Sequence, residues 1–209
     1  MYLKRIQVGL LQENCYLVGA EYAMFCAVID PGDEFEKIDK VLTDDCKTPS
    51  LILLTHAHPD HYGAVFELKQ KYPEARICMH KDDIDLYADP TMRRLLGYGE
   101  MELQPVDQKL EDGDVLGLGG GIQITVRHTP GHTPGGVCFS TYGLLFTGDT
   151  LFRGSIGRTD YIGGNYDEII KSVNDVIMGY PDEIIVYPGH GPSSSIQIER
   201  ASNPFVIRQ

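Results

Sequence analysis

At 209 residues, with 42% hydrophobic and 23% charged side chains, the chain has ordinary globular composition; disorder is excluded as its main state, and one domain over 1–209 is expected. Eighteen Lys and Arg face 30 Asp and Glu, a formal charge of −12 that argues against nucleic acid or an anionic membrane as partner. No run nears the roughly 18 apolar residues of a membrane helix. Gln7, Gln12, Glu13 and Asn14 interrupt any secretory core, and five cysteines never fall in CxxC spacing, so a cytoplasmic location is expected.

Residues 2–8 and 13–19 read as strands, and Met24–Ile29 as a third that turns at Asp30-Pro31-Gly32. Glu34–Leu42 reads as a helix, Leu51–Thr55 as a buried strand, Ala64–Lys71 as a helix ended by Pro73, and Arg76–Met79 as a strand. The acidic groups Asp44-Asp45 and Asp82-Asp83-Ile84-Asp85 are expected on solvated faces. Strands return at Val115–Leu118, Ile122–Arg127, Gly136–Ser140 and Leu144–Thr147. Asp167–Met178 then reads as a helix and Glu183–Tyr187 as the last core strand. Gly119-Gly120-Gly121 lacks phosphate-loop spacing and leads into a strand, so it reads as a hairpin turn. Strands mixed with helices in this clustered way predict an α+β or layered α/β architecture with two sheets.

The informative segment is Thr55-His56-Ala57-His58-Pro59-Asp60-His61. At this composition HxHxDH is expected by chance only about 0.0007 times. Imidazole and carboxylate suit zinc, iron and manganese. In an extended chain leaving a strand, His56 and His58 point to one side and can share a metal, while Pro59 redirects Asp60 and His61 towards a second position. Three later residues, His132, Asp149 and His190, also sit at glycine-rich turns just past strands. Seven ligands exceed one tetrahedral zinc. Divided three plus three with Asp149 bridging, they form a two-metal centre. Of the remaining histidines, His80 reads as structural, and His128 either packs or supports the metal site from behind.

The segments HAHPDH, TPGHTPGG, LFTGDTLFRGSIGRTD and YPGHG, in this order, resemble the metallo-β-lactamase superfamily, and within it the glyoxalase II-like (hydroxyacylglutathione hydrolase-like) branch. The resemblance implies a four-layer αββα sandwich of two mixed sheets. It implies a first metal on His56, His58 and His132, a second on Asp60, His61 and His190, and Asp149 between them. Two Zn2+ per chain are expected, with iron or manganese as substitutes. Glyoxalase II proper adds a C-terminal helical domain, whereas this sequence resembles the short, single-domain type. Arg158 stands where the family places a basic residue on the glutathione moiety; it either does so or pairs with Asp160. Asp160 and Pro192 occupy positions that are tyrosine in those enzymes.

The implied activity is hydrolysis of a small thioester of the S-lactoylglutathione type by a dinuclear zinc hydrolase, with Asp60 orienting the nucleophile. A persulfide dioxygenase with one iron on His56, His132 and Asp149 is a second implication. A lactonase or β-lactamase is a third. Nucleases with HxHxDH fit the acidic charge poorly, and flavin-linked diiron relatives usually carry Glu at one of these histidine positions.

Overall fold

A computed structural model describes residues 1–207. The first sheet takes its strands in chain order: β1 (Tyr2–Val8), β2 (Glu13–Gly19), β3 (Phe25–Ile29), β4 (Thr48–Leu53), β5 (Arg76–His80) and β6 (Gln108–Leu110). β1, β2 and β3 pair antiparallel; β3 to β6 pair in parallel. Parallel neighbours need crossovers, and helices supply them. α1 (Phe35–Asp44) joins β3 to β4, and α2 (Pro59–Tyr62) with α3 (Val65–Lys71) joins β4 to β5. α4 (Ile84–Ala88) and α5 (Pro90–Leu95) follow β5.

The second sheet contains β7 (Val115–Gly119), β8 (Ile122–His128), β9 (Val137–Thr141), β10 (Leu144–Gly148), β13 (Ile185–Pro188) and β14 (Ser194–Ser195), in the order β14-β13-β10-β9-β8-β7. A two-stranded ribbon, β11 (Leu151–Phe152) with β12 (Ser155–Ile156), follows β10. The turns that continue α6 (Tyr166–Lys171), together with α7 (Ile196–Ser202), pack on the outer face of this sheet, where Val173, Ile177 and Ile196 meet Cys138, Leu145 and Val186.

Alternating side chains divide the core into layers. In β2, Tyr16 and Val18 enter the space between the sheets, while Cys15 and Leu17 face the helices. In β4, Leu51 and Leu53 point inward and Ile52 outward. Both faces of β4 are covered, which is why its sequence is a continuous apolar run. Phe139, Phe146, Ile124 and Val126 of the second sheet meet those inner residues. The result is the expected αββα sandwich, and no helix of the described residues is long and apolar enough to cross a membrane.

Several local expectations shift. β4 starts three residues early and ends at Leu53, which frees Thr55 for hydrogen bonding. The helix expected over 167–178 is α6 followed by a wider π turn over Ser172–Val176 and a 3-10 turn over Ile177–Gly179. Met101–Val106 has no regular structure, and the short β6 over Gln108–Leu110 precedes the strands expected from Val115 onward. The glycine hairpin stands as expected: Gly119, Gly120 and Gly121 all have positive φ, and β7 pairs with β8. The acidic stretch is corrected in part. Asp82 and Asp85 are exposed, but Asp83 is fully buried because three donors converge on its carboxylate.

Candidate metal centre

The seven expected ligands lie beyond the carboxyl ends of four strands. β4 leads to His56 and His58, β8 to His132, β10 to Asp149 and β13 to His190. Pro59 opens α2 at its first position, with His58 extended just before it (φ −92, ψ 141). Asp60 and His61 therefore follow on one short helical turn, and all seven side chains meet at one edge of the sandwich.

Potential ligand atoms of His56, His58 and His132 lie within 4.8 Å of one another, as do those of Asp60, His61 and His190, and those of His56, His61 and Asp149. His58 Nδ1 is 2.9 Å from His132 Nε2. His190 Nε2 is 3.3 Å from Asp60 Oδ2. The two oxygens of Asp149 face different neighbours: Oδ1 is 3.4 Å from His61 Nε2, and Oδ2 is 3.6 Å from His132 Nε2 and 3.7 Å from His190 Nε2. Gly189 makes this approach feasible, because a Cβ there would collide with Asp149 Oδ1 and His61 Cε1.

Four imidazoles are held from behind. His132 Nδ1 donates to the Arg158 carbonyl at 2.7 Å and His190 Nδ1 to the Leu11 carbonyl at 3.1 Å. His61 Nδ1 donates to Asp30 Oδ2 at 3.0 Å. His56 Nδ1 donates to Thr55 Oγ1 at 3.0 Å, and that hydroxyl donates onward to Asp30 Oδ2 at 2.6 Å. Each bond orients its ring and turns Nε2 towards the centre. The Nε2 atoms of His56 and His61, together with Asp149 Oδ1, are buried without a hydrogen-bond partner. Such groups are costly unless something binds them. These partnerless atoms, gathered beside the imidazoles of His58, His132 and His190 and the Asp60 carboxylate, fit a pair of divalent metal ions.

The electrostatics agree. Burial, then neighbouring imidazoles, holds His56 and His58 below the usual histidine range. Burial acts the same way on His61, but the carboxylates of Asp149, Asp30 and Asp60 outweigh it and push this group up to about 10. Burial would raise Asp60, yet His61 and His190 hold it well below the usual carboxylate range.

The centre opens into a cleft of about 480 Å³ whose walls include Leu11, Leu96, Phe152, Ile156 and Tyr161. Arg158 lines it too, but its guanidinium is engaged: Nε and Nη2 donate to Asp160 at 2.6 and 2.7 Å, and Nη1 donates to the Tyr161 hydroxyl at 2.8 Å. His80 and His128 stack with centroids 4.0 Å apart and planes 13° from parallel. In-plane lone pairs of parallel rings do not converge, so these two with Asp82 make a poor metal site. His128 Nε2 donates to the Pro134 carbonyl, which supports the loop bearing His132.

Three buried carboxylates near the centre, Glu13, Asp30 and Asp83, go beyond the sequence expectation. In the sequence Asp30 reads only as a turn residue, although an Asp at a strand end followed by Gly32 carries the same signal as Asp149. Asp83 had no such signal.

Residues 8–190 match the family model described as the Metallo-beta-lactamase superfamily. The chain belongs to that superfamily. Among curated relatives, it is 34% identical to the probable metallo-hydrolase YqgX of Bacillus subtilis, over 99% of this chain and 98% of that one. It is also 34% identical to the hydroxyacylglutathione hydrolase GloC of Haemophilus influenzae, again over 99% and 98%. Among solved structures, BLEG-1 B3 metallo-beta-lactamase superposes with a TM-score of 0.91 at 35% identity, covering 98% of this chain and 99% of that one. TTHA1623 in a di-iron-bound form gives 0.86 at 37%, covering 97% and 100%. Fold and site together define a metal-dependent hydrolase class with a dinuclear type of centre.

Proposed function

We propose that this chain is a single-domain, cytoplasmic hydrolase of small thioesters of the S-lactoylglutathione type. His56, His58 and His132 would hold one zinc ion and Asp60, His61 and His190 a second, with Asp149 shared. Two ions so held would supply a hydroxide nucleophile near neutral pH and polarise the scissile carbonyl. Asp60 Oδ2 faces the same space as His190 Nε2 and can orient the nucleophile and accept its proton. Thiolate leaves readily, so no strong general acid is required from the cleft walls. Leu11, Phe152 and Tyr161 can exclude water from the acyl group. The observation that carries the reading is the set of inward atoms without partners, opening on a cleft of about 480 Å³. Similarity to GloC over nearly the whole chain supports the thioester class.

Likeness to BLEG-1 favours β-lactam hydrolysis as a second reading, and the di-iron form of TTHA1623 favours iron as the second choice of metal. A single-iron dioxygenase on His56, His132 and Asp149 is less well supported, because it leaves the inward Asp60, His61 and His190 unused. Turnover of S-lactoylglutathione, a β-lactam and a persulfide by metal-stripped protein reloaded with zinc or iron separates these readings. Zinc-dependent thioester turnover exceeding the other two is expected, and its absence would overturn the proposal.

A further inference from the structure

Asp83 belongs to neither ligand-bearing loop, yet both attach to it. It closes the 3-10 turn Lys81–Asp83 between β5 and α4 and is fully buried. Its Oδ2 accepts from the Ala57 amide at 2.8 Å and from Thr133 Oγ1 at 2.8 Å. Its Oδ1 accepts from the Gly135 amide at 2.6 Å. Ala57 is the residue between His56 and His58, and Thr133 directly follows His132. Gly135 is shaped to this contact, since a Cβ there would collide with the Asp83 backbone nitrogen, Cβ and Cγ. One other backbone bond, Val137 N to the Thr55 carbonyl at 2.9 Å, also joins the two loops, but it lies outside the three histidines on both sides.

We infer that Asp83 is a positioning residue for the first metal: its carboxylate sets the mutual placement of His56, His58 and His132 by fastening their two loops to one point. The inference rests on the reading of that trio as a metal site. All three partners are donors, so a carboxylate satisfies them and an amide does not. In Asp83→Asn the amide nitrogen faces at least one N–H or O–H donor, and one loop must move. Ligand sets whose supporting hydrogen bonds are lost typically bind metal about 10–100-fold more weakly. Asp60, His61 and His190 take no bond from Asp83, so their affinity stays.

The test is Zn2+ titration of the metal-stripped full chain against a chromophoric chelator, with thermal melting in parallel. His132→Ala and His190→Ala serve as references that assign the two binding steps. Thr133→Val removes one donor only and keeps the test valid should Asp83→Asn fail to fold. Wild type is expected to bind two ions. Asp83→Asn should weaken the step missing in His132→Ala by at least tenfold while the other stays within about twofold; Thr133→Val should weaken the same step by a smaller factor. Equal weakening of both steps, or unchanged affinities in Thr133→Val with only a lower melting temperature, would reduce Asp83 to scaffold and overturn the inference. Wild type that binds no zinc would overturn the metal reading itself, and the inference with it.

Discussion

Asp30 and His61 form a buried carboxylate–imidazole pair, with Oδ2 3.0 Å from Nδ1 and both side chains almost wholly excluded from solvent. The same carboxylate accepts from the Thr55 amide at 2.7 Å and the Thr55 hydroxyl at 2.6 Å, so it also reaches His56 through that hydroxyl. One residue of β3's exit thereby orients a histidine of each proposed metal trio. Asp30 adopts a positive φ of 49°, a conformation sustained by these contacts.

Asp30→Asn should therefore weaken zinc binding about 10–100-fold and lower stability by about 1–3 kcal/mol, because an amide nitrogen meets donors it cannot satisfy. Chelator competition and thermal melting check both effects. Unchanged zinc affinity would mean that His61 keeps its orientation without the carboxylate.

The metal-free protein should be most stable near pH 6.5. His61 is raised in the fold to about 10, against its own burial, by Asp149, Asp30 and Asp60. Its contribution is complete below about pH 6.5 and is lost as pH rises towards 10. His56 and His58 are depressed by burial, so the unfolded chain takes up their protons first and stability falls as pH drops below about 6.5. Zinc-loaded protein should lose most of the alkaline decline, since a ligated His61 is already neutral at Nε2. Melting temperatures from pH 5 to 10, with and without zinc, test this. A metal-free melting temperature that climbs from pH 7 to 10 would contradict it.

Arg158→Ala should affect S-lactoylglutathione and an uncharged thioester alike. The guanidinium is engaged by Asp160 and Tyr161 and lies 3.8 Å over the Tyr161 ring, so the variant loses loop order and no substrate carboxylate contact. The pair is solvent-exposed and worth little to stability by itself. A several-fold rise in KM confined to the anionic ester would instead give Arg158 a binding role.

How much could be read in advance depended on the range of the signal. The layered architecture followed from local patterning: the uninterrupted Leu51–Leu54 run required cover on both faces, and β7 and β8 alternated as a half-solvated hairpin should. The seven side chains that converge are legible because four share the HxHxDH segment just past β4 and three sit at glycine-rich turns past other strands. Asp83 was not, because its partners lie 26, 50 and 52 residues away and its own segment looks like a solvated acidic surface. α4, α5 and α7 were missed for a related reason: each has seven residues or fewer, and tertiary packing of Leu86, Tyr87, Met92 and Ile196 holds it in place more than any helical period does.

Metal stoichiometry tests the central claim, a centre in which Asp149 is shared by two ions. Elemental analysis of zinc-loaded wild type should give two equivalents per chain, and Asp149→Ala should give well under one, because removing the bridge leaves two cations facing each other without compensation. One equivalent in wild type, or two retained in Asp149→Ala, would contradict the account.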